Sequence, residues 1–287
     1  MRREQLFDAL DWFVPRNIQR LLTYYEPSAV MFALRHRDVL QANKALYNRH
    51  AGGRCFVLCN GPSVKQQDIR LLKNEIVFSV SSGYLHPDYG EVRPRYHCVP
   101  QLTYAKVTRA HAVQWFGEMD HFLGDAELFL DQQEWGLVQQ HGLFAARNLH
   151  YVCMGKNYFP KNPRSVPDLT GIIPRVQTVP IAVLMIALYM GFREIYLLGT
   201  DHDWFVTKEY KYFFEPGILK GKDMGVTVDG MLETTLWDEL PAVRKVWAQY
   251  RAVKEMANIV GATIYNATQG GMLDEFVRIG LEEALST

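Results

Sequence analysis

Two short strings in this 287-residue chain carry side chains that could do chemistry. The first is Asn60-Gly61-Pro62-Ser63, which follows the apolar run Cys55-Phe56-Val57-Leu58-Cys59. An apolar run emptying into a small polar turn reads as a buried strand, with Gly61 permitting close backbone approach and Ser63 able to cap a helix starting near Val64. The free N–H groups and positive end of that helix would face the loop, where one phosphate or diphosphate fits. An ordinary strand-to-helix turn is the plainer alternative. No second glycine and no Gly-Lys-Ser/Thr follow, so this is neither a Walker loop nor a dinucleotide fingerprint.

The second string is Asp201-His202-Asp203. An imidazole beside carboxylates can take a proton near neutral pH, which makes His202 a candidate base and Asp201 its orienter; a capping or surface histidine is the alternative. Asp201 and Asp203 also have the Asp-x-Asp spacing that could hold magnesium or manganese against a diphosphate. Six further histidines, His86, His97, His111, His121, His141 and His150, have no metal-ligand spacing and read as surface or hydrogen-bonded groups.

These strings need a scaffold, and from Arg54 onward short apolar runs alternate with longer helical patterns. The runs are 55–59, 76–80, 96–99, 126–130, 149–153, 194–198 and 262–265, an alternation that predicts a mostly parallel α/β sheet. An apolar helix over 176–190 leads into the strand at 194, and an amphipathic helix covers 240–260. Four turns at strand ends carry unusual residues: 60–63, then 79–83 with Ser81 and Ser82, then Pro100-Gln101, then 199–202. In open α/β sheets ligands bind outside the carboxyl ends of strands, so these turns are expected to share one site. Residues 203–238 contain no clear long element and read as an aromatic-rich lid.

The chain is 48% hydrophobic and 22% charged, the composition of a globular protein with a sizeable core. Lysine plus arginine and aspartate plus glutamate both number 31, so no global field favours nucleic acid. Cys55, Cys59, Cys98 and Cys153 lack metal or disulfide spacing and suit a reducing cytoplasm. The start, broken by Asp8 and Asp11, does not read as a signal peptide, and the apolar run 179–190 is too short to span a bilayer. Residues 1–53 read as a basic helical arm ahead of a domain at 54–287. That arm either packs on the domain, the favoured reading, or lies on an anionic membrane surface.

Leu58-Cys59-Asn60-Gly61-Pro62-Ser63-Val64-Lys65, together with Gln177-Thr178 and the run from Ala187 through Tyr196-Leu197-Leu198-Gly199-Thr200-Asp201, resembles the bacterial CMP-sialic-acid-dependent sialyltransferases of glycosyltransferase family 42. It is also similar to the wider Rossmann-like set that includes motility accessory factors and a pterin pyrophosphokinase group. The tail Asn266-Ala267-Thr268-Gln269-Gly270-Gly271 is closer to that second set. The resemblance implies a variant GT-A, Rossmann-like fold and a metal-independent transfer in which Asn60, Gly61, Pro62 and Ser63 lie along the donor nucleotide. It also implies lid tyrosines on the phosphate, here Tyr210 and Tyr212, and a small hydroxyl residue at Thr178. The chain departs from the family in carrying Ser81, Ser82 and Gln101 where asparagines contact the donor, and no histidine follows His202.

The expectation is therefore a transferase moving a nonulosonic acid such as sialic acid from a CMP-activated donor to a surface glycan or lipid-linked acceptor, in the cytoplasm or at the inner membrane face, with homo-oligomerisation open. The rivals are a magnesium-dependent pyrophosphokinase, a metal-dependent transferase using a nucleoside-diphosphate sugar, and a non-catalytic nucleotide-sugar binding module.

Overall fold

The computed structural model describes residues 24–99, 108–207, 212–214 and 235–286. Nine strands form one sheet in the order β6-β5-β4-β3-β2-β1-β7-β8-β9, every neighbouring pair parallel. They are β1 (Arg54–Leu58), β2 (Val77–Val80), β3 (Tyr96–Val99), β4 (Glu127–Asp131), β5 (Leu149–Lys156), β6 (Ile172–Pro174), β7 (Glu194–Leu198), β8 (Thr263–Asn266) and β9 (Val277–Arg278). The seven apolar runs are all strands. The two additions are the sheet edges, three and two residues long, too short to show a period; β6 ends on a proline, which an edge tolerates.

The helices in chain order are α1 (Pro27–Arg35), α2 (Arg37–Gln41), α3 (Tyr89–Val92), α4 (Arg109–Phe122), α5 (Trp135–His141), α6 (Val179–Tyr189), α7 (Trp204–Thr207), α8 (Leu236–Ile259) and α9 (Leu281–Ser286). Helix α6 is buried from Pro180 to Tyr189 and crosses the face of β1, β2, β3 and β7, which is why its sequence is apolar all round. Along β1, Cys55 and Val57 join the core under α6 while Phe56 and Leu58 join the opposite core with Tyr196 and Leu198. A strand covered on both faces needs a continuous apolar run, and β1 has one. All four cysteines are buried free thiols.

Helix α8 starts at Leu236 rather than near 240. Pro241 reads as a first-turn residue, but the capping box between Thr235 and Asp238 begins the helix earlier, and α7 adds a turn inside the stretch expected to lack structure. Residues 24–26 run beside the end of β5, Glu26 N donating to Gly155 O at 2.7 Å, and Ala29 and Phe32 of α1 are buried in the core that includes Tyr151 and Cys153. Residues 1–23 of the arm expected over 1–53 lie outside the described residues.

Candidate active site at the carboxyl edge

The chain builds β1 to β6 in one direction and then returns to place β7 on the other side of β1. The switch point is thus between β1 and β7, and the turns leaving those strands are the two strings singled out above. Crevices of this kind are where open α/β sheets bind ligands.

Asp201 is the hub of that edge. Its carboxylate accepts from Ser63 N at 3.1 Å and from Ser63 Oγ at 2.7 Å, and its carbonyl accepts from Met272 N at 2.6 Å. A methyl group on Gly61 would sit 1.9 Å from Asp201 Oδ2, and one on Gly271, whose φ is +72°, would sit 2.6 Å from Asp201 O. Both glycines are therefore demanded by close approach to Asp201. Thr200 N donates to Thr268 Oγ1 at 3.0 Å, Thr268 N to Asn266 Oδ1 at 3.0 Å, and Asn266 Nδ2 to Leu273 O at 2.8 Å. The turns after β1, β7 and β8 are one hydrogen-bonded knot.

This geometry corrects two expectations. No long helix follows Ser63: residues Pro62–Gln66 form a single 3-10 segment, and Asp201 occupies its first-turn donors where a ligand phosphate was expected. Asp201 does not orient His202, because its side chain faces Ser63. The Asn-Ala-Thr-Gln-Gly-Gly tail has a structural reason, since Thr268 and Gly271 hold Thr200 and Asp201.

His202 follows with φ +48°, left-handed for a non-glycine residue, and its Nε2 lies 2.6 Å from the Tyr250 hydroxyl. The rings of Trp204, Trp247 and Tyr250 surround it at 5.6, 6.1 and 5.4 Å. Desolvation there pulls its pKa down to about 4, so the imidazole is neutral at physiological pH. Burial, resisted by Ser63 and reinforced by Asp203, pushes the Asp201 carboxyl up. Asp203 accepts through its backbone carbonyl from Val206 N and Thr207 N and so starts α7. Among the described residues no group of three His, Cys, Asp or Glu side chains could hold a metal ion.

On the β2 side lies Asn60. Its backbone carbonyl accepts from Phe213 N at 3.0 Å, but its carboxamide oxygen is buried and has no hydrogen-bond partner among the described residues. Gly83 lies against that oxygen, and a methyl added there would approach it to 3.4 Å. Ser81, left-handed at φ +47°, and buried Ser82 lead into Gly83. Beneath them Ser79 Oγ bridges His97 Nδ1 at 2.7 Å and Tyr89 OH at 3.0 Å. His97 is thus a buried, hydrogen-bonded histidine; its Nε2 has no hydrogen-bond partner among the described residues, and desolvation pulls its pKa down to about 3. Phe213 covers the turn and meets the His86 ring at 5.2 Å, while Tyr212 stacks on Phe214 and burial raises its pKa.

Thr178 is the residue before α6; its hydroxyl makes no capping bond, and Gln249 of α8 clasps the adjacent backbone at Gln177 N and Arg175 O. The structure thus brings together Asn60, Gly61, Ser63 and Asp201, with Ser81 and Ser82 beside Asn60 across Gly83. Gln101 and Tyr210 lie outside the described residues. Sequence reasoning missed Tyr250 and Phe213, which have no motif of their own and act only through contacts made far along the chain.

No protein-family model matches the chain, and no curated protein matches it. Among solved structures it is similar to the sialyltransferase CstII from Campylobacter jejuni in complex with a substrate analogue, cytidine-5'-monophosphate, at 13% identity and a TM-score of 0.44, over 80% of this chain and 85% of that one.

Proposed function

We propose that the protein is a glycosyltransferase that takes a nonulosonic acid such as sialic acid from a CMP-activated donor and passes it to a surface-glycan or lipid-linked acceptor. The observation that carries this reading is the buried carboxamide oxygen of Asn60, which has no hydrogen-bond partner among the described residues, in the turn that leaves β1 at the switch point. A buried acceptor left unmade costs about 1–3 kcal/mol, which a ligand hydroxyl or amino group donating to it would recover. The resemblance of the Asn60-Gly61-Pro62-Ser63 turn to the sialyltransferase donor turn supports a nucleotide as that ligand.

In this reading the crevice beside Asn60, Ser81 and Ser82 receives the nucleoside, and Tyr212, a phenol that keeps its proton, donates to the departing phosphate together with Tyr210. The bond from the anomeric carbon to the CMP oxygen breaks as the acceptor hydroxyl bonds to that carbon. The acceptor proton passes to His202. For this, Nε2–H of His202 donates to Tyr250 and Nδ1 is the accepting atom, the tautomer that leaves a lone pair for the substrate. In the same reading residues 203–238 are the lid, and a lipid-linked acceptor is met at the cytoplasmic membrane face.

The metal-dependent alternatives draw less support, because the Asp201 carboxylate they require is bonded through both oxygens to Ser63. The test is release of CMP from CMP-sialic acid with a panel of lipid-linked and soluble glycans, with EDTA and with magnesium. Turnover indifferent to EDTA is expected; turnover only of a nucleoside-diphosphate sugar or ATP, and only with magnesium, would replace this reading.

A further inference from the structure

A cleft of about 550 Å³ opens on the same edge of the sheet, between α1 and the turn after β4. Arg35, in the last turn of α1, and Arg109, the first residue of α4, both line it. Both are exposed, and neither has an ion-pair or hydrogen-bond partner among the described residues. Arg109 is placed against its own helix, since a cation at the positive end of the 14-residue α4 is unfavourable until an anion offsets it.

The floor supplies a second, independent sign. Gln132 lines the cleft, is only 5% exposed, and has an amide Nε2 with no hydrogen-bond partner among the described residues. Beside it Trp135 meets the His36 ring at 4.8 Å, an aromatic surface suited to the apolar face of a sugar ring. The nearby carboxylates are already engaged: Glu26 accepts from Arg175 at 2.6 Å, and Asp131 accepts from Gln133 N at 3.0 Å and Met154 N at 3.2 Å.

We propose that this cleft binds an acidic saccharide, whose carboxylate or phosphate meets Arg35 and Arg109 and whose ring lies on Trp135 within reach of the Gln132 amide. The cleft opens at β4, three strands from β1, so at the usual strand spacing it is roughly 14 Å from the Asn60 turn, a separation a nucleotide-sugar can bridge. The cleft is then the acceptor site. That use rests on the transfer reaction proposed above; the binding does not.

The experiment titrates the full chain, without nucleotide, with glucose 6-phosphate, glucuronic acid and glucose, and separately with CMP. At least one acidic sugar is expected to bind tenfold or more tightly than glucose, the tighter one naming the anion. Arg109→Glu and Arg35→Glu are expected to weaken that binding at least tenfold while CMP affinity stays within twofold. Arg109→Glu should melt no lower than wild type, because it favours the helix end, so a loss of binding is not a loss of fold. Gln132→Leu, similar in volume, should also weaken the acidic sugar. Equal affinity for glucose, or acidic-sugar binding unchanged by Arg109→Glu, would overturn the proposal. Sugar binding without CMP binding would instead overturn the nucleotide reading alone.

Discussion

Asp201 and Ser63, 138 residues apart, are joined by two hydrogen bonds to the same carboxylate, from the Ser63 amide and hydroxyl. The carboxylate stands where an external anion would sit in a phosphate loop, so the turn after β1 is completed from within the chain. Removing it leaves a buried amide and hydroxyl unanswered. Asp201→Ala is expected to lower stability by about 3 kcal/mol by urea denaturation, the upper range for hydrogen bonds to a charged group. Gly61→Ala is expected to cost at least about 2 kcal/mol because its methyl meets the same carboxylate. The same methyl would sit 2.6 Å from the Gly199 carbonyl oxygen, so the double variant should recover only the part of the cost that the carboxylate imposes; a loss equal to the sum would contradict the contact with Asp201.

Asn60 should separate binding from folding. Asn60→Leu removes a buried oxygen that has no partner and keeps the backbone carbonyl that accepts from Phe213. Its melting temperature is expected to equal or exceed that of wild type, while affinity for CMP falls roughly 10- to 100-fold, the value of about 1–3 kcal/mol for a buried polar contact. A lower melting temperature with unchanged affinity would make Asn60 a structural residue.

His202 gives a kinetic prediction. If it accepts the acceptor proton, His202→Ala lowers kcat by roughly 10²- to 10⁴-fold, and the acid limb of the wild-type pH profile falls near pH 4. Tyr250→Phe removes the acceptor of Nε2–H at 2.6 Å and should lower kcat less than His202→Ala does while moving that limb further down, since the imidazolium loses the oxygen that accepts from it. A wild-type limb near 6 to 7 that His202→Ala leaves in place would assign the base to another residue.

Asp131 provides a pH signature of the fold. Burial pushes its carboxyl up to about 7, so the native state holds a proton that the unfolded chain releases near 4. Wild-type stability relative to Asp131→Asn is therefore expected to fall as pH rises from about 4 to about 7, by up to a few kcal/mol at 1.36 kcal/mol per pKa unit. His97 acts in the opposite sense. Held neutral with a pKa of about 3, it withdraws stability as pH drops below 6.5. Denaturation midpoints for Asp131→Asn and wild type that run parallel across pH 4 to 7 would refute the Asp131 assignment.

The strands that carry the site were legible because β1 and β7 are buried on both faces and so read as unbroken apolar runs. The placement of Asn60 and Asp201 at strand ends followed from the same runs. Their pairing did not. Which strands are neighbours is a tertiary choice, and β7 returns to β1 only after the chain has built out to β6. Without that return, Ser63 reads as a helix cap and Asp201 as a partner of the adjacent His202. The spelling of Gly61 shows that something approaches closely, but a carboxylate from 138 residues away is as small as a phosphate oxygen. The burial of His97 was not legible because nothing local distinguishes a buried imidazole from a surface one. Tyr250 sits on an ordinary amphipathic helix and gains its role only where α8 crosses beneath His202.

The account rests on a nucleoside monophosphate at the Asn60 edge, and calorimetric titration of the full chain with CMP in EDTA tests that most directly. Saturable binding that magnesium does not strengthen and Asn60→Leu weakens at least tenfold is the predicted result; no heat with CMP, alongside magnesium-dependent binding of UDP, GDP or ATP, would contradict it.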